Sequence, residues 1–462
     1  MRRLWPFVAL VALTGIFAVA QAQPPIQPKD GKFVVPLTVT AASPPKPALK
    51  YQLLPDLREL QPGNQIPAFY RCFFEQHTLF HSKESSDQQQ KWLEAPLSDL
   101  ARDAALADYA AAVAKQAEYA SRLDTVDWQL TNQARADGAG ILLPDVHSMR
   151  MLIRVLKIRA RAEIARGEMD TAAHTIQTMF ALSRTFNEHP FVIGQLVGIA
   201  LTAITLSVVE EFIQQPGAPN LFWSLAALPS PFIDLRKASQ GEKMMLSKEF
   251  QGLRTATPIL DADLRKLLKT LNLFVRLETD GKQAPSVYYT KKAENPEAVT
   301  AARTTLASFG HSPAELAKLS PLQVLLMEDN AQYEVDLDEF VKWTNIPFWQ
   351  IPGNLGGQKP RSGPFSVLLP VWYKVILAKA RTQQQLALIM VAEGVRAYAA
   401  ENGNKPPASL DAVKLPLPVD PITGKPFLYE MKGDVAVIRA TPPADQKDVA
   451  VYNRVYEITI RK

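Results

Sequence analysis

The chain has 462 residues, of which 47% are hydrophobic, with a formal net charge of +5 and a single cysteine. This length suggests two or three domains, and the apolar fraction excludes a fully disordered or collagen-like chain. One cysteine excludes a disulfide-rich scaffold, and so small a charge excess does not by itself indicate nucleic-acid binding. We therefore expect a globular protein without a nucleic-acid partner.

The N-terminal segment 1–22 has the pattern of a secretory signal peptide. Two arginines precede an uncharged apolar stretch from Leu4 to Ala20, and the small residues around Gln21 fit the cleavage rule. We predict cleavage after Ala22 and export to the periplasm, the cell envelope or the medium. The alternative is an uncleaved membrane anchor, because a stretch of this length is near the lower limit for a membrane span.

Residues 23–64 form a proline-rich region that predicts an extended arm. Within it, the apolar residues between Val34 and Val39 favour one short strand or a docking segment. Cys72 follows the arm among large apolar neighbours, which predicts a buried free thiol. A catalytic or intermolecular role for this thiol is the alternative.

Residues 65–349 predict a domain of stacked antiparallel helix hairpins. Strong helix formers dominate this region, glycines and prolines punctuate it, and the connections are short. The predicted helices include residues 170–187, 190–215, 313–326 and 336–343.

The C-terminal quarter changes character after a predicted linker at residues 350–364, which is rich in glycine and proline. Residues 365–401 predict one long helix, and Gly403 suits its C-terminal end. Alternating apolar residues then predict three strands of a small antiparallel sheet, over residues 426–431, 435–440 and 451–461. The predicted fold class is therefore mainly α, with a helix-plus-sheet module over 365–462.

The segment Leu156–Ser183 resembles a single tetratricopeptide repeat. Ala160 and Ala172 match the small positions of its two helices, and Gly167 matches the turn between them. The resemblance implies a closely packed helix pair that could contribute to a protein-binding surface.

Two further resemblances cover longer parts of the chain. Residues 397–403 and 418–427 resemble the globular region of type II secretion pseudopilins, which implies a long helix leading into a small sheet. Residues 49–55 and 214–220 are similar to segments of a group of exported bacterial helical proteins. This second resemblance implies an architecture and no activity.

His77 and His81 are the weak candidates for a metal site. They stand four residues apart, so on a helix both imidazoles would lie on one side and could share a metal ion. The stretch lacks the Glu directly after the first His that a zincin helix requires. The alternative is a pair of surface or capping histidines.

Four cations recur with helical spacing and are the candidates for binding an anionic partner: Arg150, Arg154, Lys157 and Arg161. Such a stripe suits anionic lipid, a phosphate polymer or an acidic protein. The alternative is a solvated helix face whose cations pair with nearby acids.

Residues 191–209 carry no charge and contain Gly194 and Gly198 four residues apart. This length and the small residues suit a membrane helix. The preferred interpretation is a core helix, because several polar residues dilute the stretch and acids follow it directly.

These patterns contain no P-loop, dinucleotide fingerprint or nucleophile motif, so we predict no cofactor and no catalytic residue. The leading hypothesis is an exported, non-catalytic helical scaffold that binds another protein, with possible peripheral association with the envelope. The alternatives are an envelope hydrolase or metal-dependent enzyme that uses His77 and His81, and a protein integrated in the membrane through residues 191–209.

Overall fold

The computed structural model describes residues 31–74, 76–137, 143, 145–279, 284–353, 363–368 and 372–461. The predicted signal peptide, the first part of the arm and most of the predicted linker lie outside these residues. The predicted fold class is confirmed: the described chain is mainly helical, with a small sheet formed largely by the C-terminal residues.

The described part of the first half of the chain contains helices and three strands. These strands are β1 (Phe33–Val39), β2 (Gln61–Asn64) and β3 (Leu123–Thr125). The helices, in chain order, are α1 (Gln65–Phe74), α2 (His77–His81), α3 (Lys83–Glu94), α4 (Leu97–Leu100), α5 (Ala111–Ser121), α6 (Leu130–Asp137), α7 (Asp145–Ala165), α8 (Met169–Thr185) and α9 (Val192–Phe212).

The second half continues with helices and ends in three strands. The helices are α10 (Phe222–Ala226), α11 (Arg236–Phe250), α12 (Asp261–Thr279), α13 (Pro285–Ala293), α14 (Pro296–Ser308), α15 (Pro313–Leu316), α16 (Pro321–Val341) and α17 (Trp372–Glu401). The strands are β4 (Leu428–Lys432), β5 (Val435–Arg439) and β6 (Arg454–Ile460).

Helix α9 lies at the centre of the hydrophobic core. It packs against α7, α8 and α17, and most of its side chains are buried. The hairpin of α7 and α8 turns at Gly167, whose φ of 76° lies in the left-handed region that glycine tolerates. One continuous core includes residues from the helical region and from the C-terminal sheet. The predicted division into two domains stays a prediction.

The main sheet has four strands in the order β1-β6-β5-β4. Strands β4, β5 and β6 are antiparallel, as predicted, whereas β1 from the arm pairs in parallel with β6. The predicted three-stranded antiparallel sheet is therefore corrected to a mixed, four-stranded one. The alternation predicted for the last strand is confirmed, because Tyr456, Ile458 and Ile460 are buried.

Some helix boundaries differ from the prediction. The long C-terminal helix, predicted from residue 365, is α17 and begins at Trp372, after a short 3-10 helix over Pro364–Leu368.

The sequence predicted helices over 313–326 and 336–343, but α15 ends at Leu316 and α16 runs without a break from Pro321 to Val341. The Ser320 side chain accepts the Gln323 backbone N–H and caps α16, and Pro321 suits its first turn. These local signals start a new helix at Pro321, inside the stretch 313–326 that the sequence predicts as a single helix.

Candidate functional site

A cavity of about 530 Å³ opens where the arm crosses helix α8. Residues 49–52 and 56–59 form one wall, and the other wall is one face of α8. The lining combines both signs of charge with amides and an imidazole: Leu49, Lys50, Tyr51, Gln52, Asp56, Arg58, Glu59, Asp170, Ala173, His174 and Gln177. We call this space the arm cavity.

Hydrogen bonds hold the two walls of the arm cavity together. The Tyr51 hydroxyl donates to Asp170 Oδ1 at 3.0 Å, and Gln177 Nε2 donates to the Gln52 carbonyl at 3.0 Å. Asp56 and Glu59 close the arm wall on itself through a reciprocal capping box. The cavity shape is therefore fixed by residues more than 100 positions apart, while His174 on its floor is exposed to solvent.

The candidate metal ligands His77 and His81 lie on the short helix α2. Both side chains are exposed, and their ring centroids are 4.6 Å apart. Among the described residues, no group of three or more His, Cys, Asp or Glu side chains is placed to hold a metal ion. The structure thus brings the two imidazoles together as predicted and adds no further ligand from the described chain.

The four predicted cations of α7 do not form one exposed stripe. Lys157 and Arg161 are 2% and 3% exposed, respectively. Lys157 Nζ donates to Ser207 Oγ at 3.2 Å, and burial lowers the pKa of Lys157 to about 8. The prediction of an anion-binding surface is therefore wrong for Lys157 and Arg161, because α7 turns this part of its face into the core.

Arg161 on α7 has a structural role at the C-terminal end of helix α3. Its guanidinium donates to Glu211 Oε2 at 2.7 Å and to the carbonyls of Trp92, Leu93 and Ala95 at 2.6 to 3.1 Å. Carbonyls at a helix C-terminus lack intrahelical partners and favour a cation. Arg161, which lies on the neighbouring helix α7, supplies these carbonyls with both hydrogen-bond donors and a positive charge.

Arg150 and Arg154, by contrast, are half-buried near the first turns of α7. Arg154 Nη2 donates to Gln90 Oε1 at 3.1 Å and to the Ser86 carbonyl at 3.3 Å. Several of the remaining guanidinium nitrogens are buried without a hydrogen-bond partner. These two cations remain candidates for contact with an anion.

A buried polar centre at Glu210 joins α9 to the C-terminal module. Glu210 Oε1 accepts hydrogen bonds from Gln385 Nε2 at 2.9 Å, from Arg454 Nη2 at 2.6 Å and from the Tyr456 hydroxyl. Burial, together with the nearby Glu210 carboxylate, raises the pKa of Tyr456 well above its usual range. Each of these side chains has a protein partner, and among the atoms of Arg454 Nε alone is buried without an acceptor, so the centre is a structural junction.

A second polar cluster lies at the start of α9. Glu242 Oε1 accepts the Val192 backbone N–H at 2.9 Å, and burial raises the pKa of Glu242 to about 7. Burial lowers the pKa of His189 to about 3, and its Nδ1 accepts the Phe191 N–H at 3.2 Å. The sequence pattern did not single out either residue, because burial of a lone Glu or His depends on tertiary packing.

Helix α9 contains the stretch that the sequence identified as a possible membrane span. It is the one helix among the described residues that is long and apolar enough for this, and 83% of its most apolar window is buried. Burial of this helix by the chain's own side chains favours the preferred interpretation of a core helix, and the alternative of membrane integration through residues 191–209 stays a prediction. Gly194 and Gly198 admit neighbours from the same chain, His189 and Phe186.

Cys72 is the predicted buried thiol. Its side chain is 2% exposed and burial raises its pKa to about 12, so the thiolate form is strongly disfavoured. This environment is that of a packing residue.

Comparison of the chain with protein-family models, with curated proteins and with solved structures found no match. The resemblances to tetratricopeptide repeats, pseudopilins and exported helical proteins therefore stay predictions. The sequence singled out one part of the arm cavity, residues 49–55, only through such a resemblance. Nothing in the sequence pairs this segment with α8, because the contact joins distant parts of the chain.

Proposed function

We propose that the protein is an exported, non-catalytic helical scaffold of the cell envelope that binds another protein at the arm cavity. The observation that carries the proposal is the cavity itself, an open and polar space with two preformed walls. A site that is fixed before binding loses little conformational entropy when the partner docks.

The lining of the arm cavity suits a polar polypeptide segment. Its walls offer acceptors on Asp170 and Glu59 and donors on Lys50 and Arg58, with the imidazole of His174 between them. Hydrogen bonds and charges of both signs match the mixed surface of a protein loop. The predicted export and the helix pair of α7 and α8 are consistent with such a scaffold.

The positions of the shifted titratable groups also support binding over catalysis. Active sites commonly combine a cleft with groups whose pKa is displaced. Here the buried groups Glu242, His189 and Lys157 have such displaced pKa values and do not line the arm cavity. In the cavity wall, hydrogen bonds from Arg58 hold the pKa of Asp56 well below its usual range, so that shift comes from a pairing within the arm.

The test is site-specific photo-crosslinking in producing cells, with the photoreactive residue at position 174. The matched control carries the same residue at Thr300, which is exposed on α14. We expect one crosslinked species of discrete mass at position 174 and none at position 300. Tyr51→Phe, which removes the hydrogen bond to Asp170, should weaken the crosslink. Equal crosslinking at both positions, or none at position 174, would contradict the proposal.

A further inference from the structure

The inference concerns Arg150 and Arg154 on helix α7, away from the arm cavity. They are four residues apart, so their side chains lie one above the other on the same helix face. Both are half-buried, which leaves them reachable from solvent while their inner nitrogens are enclosed by protein.

The inner nitrogens of both guanidinium groups lack acceptors. Arg150 Nε and Nη2 and Arg154 Nε are buried and form no hydrogen bond. In the described part of the chain, neither arginine forms an ion pair. Arg154 uses only its Nη2, on the neutral acceptors of Ser86 and Gln90. A buried donor without a partner costs free energy, and the cost is larger when the donor is charged.

A third donor, the hydroxyl group of Tyr109, lies near Arg154. The Tyr109 hydroxyl is buried close to the Gln89 side chain, and the Tyr109 ring packs edge-on against Trp92, with 4.8 Å between the ring centroids. Tyr109 and Arg154 are near enough to influence each other's ionisation. The site therefore has two cations and one hydroxyl, and it is short of acceptors.

Burial has an electrostatic consequence at this site. It lowers the pKa of both arginines, and Tyr109 and Glu94 offset this effect in part at Arg154. For Arg150, burial is the one cause of the shift. An external anion would supply the missing negative charge.

We propose that Arg150 and Arg154 bind a phosphate-type oxyanion, with the Tyr109 hydroxyl as an additional donor. Guanidinium groups bind phosphate oxygens in bidentate geometry, and a phosphate has enough oxygens for two arginines and a hydroxyl. The phosphate could belong to free phosphate or to a phospholipid headgroup, because both present the same oxygens. This inference is independent of the proposed function, since it involves another surface.

The test measures binding of inorganic phosphate to the full chain by titration calorimetry, with sodium chloride of matched ionic strength as reference. A second assay compares binding to phosphatidylglycerol vesicles with binding to phosphatidylcholine vesicles, and it distinguishes a lipid headgroup from free phosphate. The variants are Arg150→Met and Arg154→Met. The matched control is Arg71→Gln, since Arg71 is an exposed arginine on α1.

For the wild type and the control, we expect saturable binding in at least one of the two assays. In both variants the affinity should fall roughly tenfold or more. Without phosphate, Arg150→Met should melt at or above the temperature of the wild type, because it removes an unpaired, half-buried cation. This second readout also shows that the variant is folded. Absence of saturable binding in both assays, or binding that both variants retain, would overturn the proposal.

Discussion

Arg161 and Arg150 lie about three turns apart on α7, yet their guanidinium groups have opposite surroundings. Arg161 contacts three carbonyls and a carboxylate, whereas Arg150 has buried nitrogens without acceptors. The same residue type at the same helical spacing is therefore structural at one position and available to a ligand at the other. The difference comes from the neighbouring helices.

This contrast predicts that substituting Arg161 lowers the free energy of unfolding, whereas substituting Arg150 does not. Arg161→Met leaves the carbonyls of α3 and the Glu211 carboxylate without their donor, so we expect a loss of about 3–5 kcal/mol in the free energy of unfolding. Arg150→Met should cause no such loss. Urea denaturation of both variants measures the difference, and equal losses would contradict this assignment of roles.

Glu242 predicts a pH dependence of stability. Its pKa in the folded protein, about 7, is above the value of 4.5 that is usual for a glutamate side chain, because burial disfavours the charged form, so the folded state favours the protonated form. The resulting stabilisation is fully present below about pH 4.5 and is lost as the pH rises through 7. We expect this change to reach about 3 kcal/mol.

Glu242→Gln is the matched variant, because its amide oxygen can still accept the Val192 N–H. Denaturation of the wild type and this variant between pH 5 and pH 8 isolates the contribution of Glu242. The wild type should lose stability relative to the variant over this range. Parallel pH profiles would show that Glu242 does not titrate as its burial requires.

At the scale of elements, α9 depends on two close approaches. A methyl group added at Gly198 would lie 2.6 Å from Phe186 Cβ, and one added at Gly194 would lie 2.0 Å from His189 Nδ1. Contacts this short force the neighbouring segment to move. The two glycines that suited a membrane interface in the sequence therefore serve packing within the chain.

We predict that Gly198→Ala lowers the free energy of unfolding by about 1–2 kcal/mol, although alanine is the better helix former. Gly252→Ala is the control, since its added methyl group would meet only Ile259 Cδ1 at an ordinary 3.6 Å. Denaturant midpoints measure both effects. A neutral Gly198→Ala would mean that the contact with Phe186 relaxes at little cost.

Elements with strong local signals could be predicted from the sequence. Helix α8 was predicted over 170–187 and lies at Met169–Thr185, and the strands β4 and β5 were predicted to within two residues. The burial of Lys157 and the pairing of β1 could not be predicted in this way. Both depend on which distant segment packs there, and periodicity within one element carries no such information.

At the scale of the whole molecule, Glu210 connects the helical core to the sheet. Its partners come from α17 and β6, and β6 in turn pairs with β1. One buried carboxylate on α9 therefore contacts the region that the sequence predicts as a separate C-terminal domain. The arm cavity likewise needs residues from the arm and from α8.

This connection predicts a single unfolding transition. Glu210→Ala leaves Arg454 buried without its carboxylate, so we expect a loss of about 3–5 kcal/mol. Far-UV circular dichroism and tryptophan fluorescence should still report one shared midpoint, lower than in the wild type. Two separate midpoints in the wild type would instead support independent domains.

The parallel pairing of β1 with β6 also has a consequence for the order of events during synthesis. The two strands are separated by almost the entire described chain, so β1 leaves the ribosome long before β6 exists. At ordinary rates of translation this interval is roughly 20–80 s. For that time the apolar residues of β1 have no strand to pair with, and the nascent chain can complete its sheet only after β6 is made.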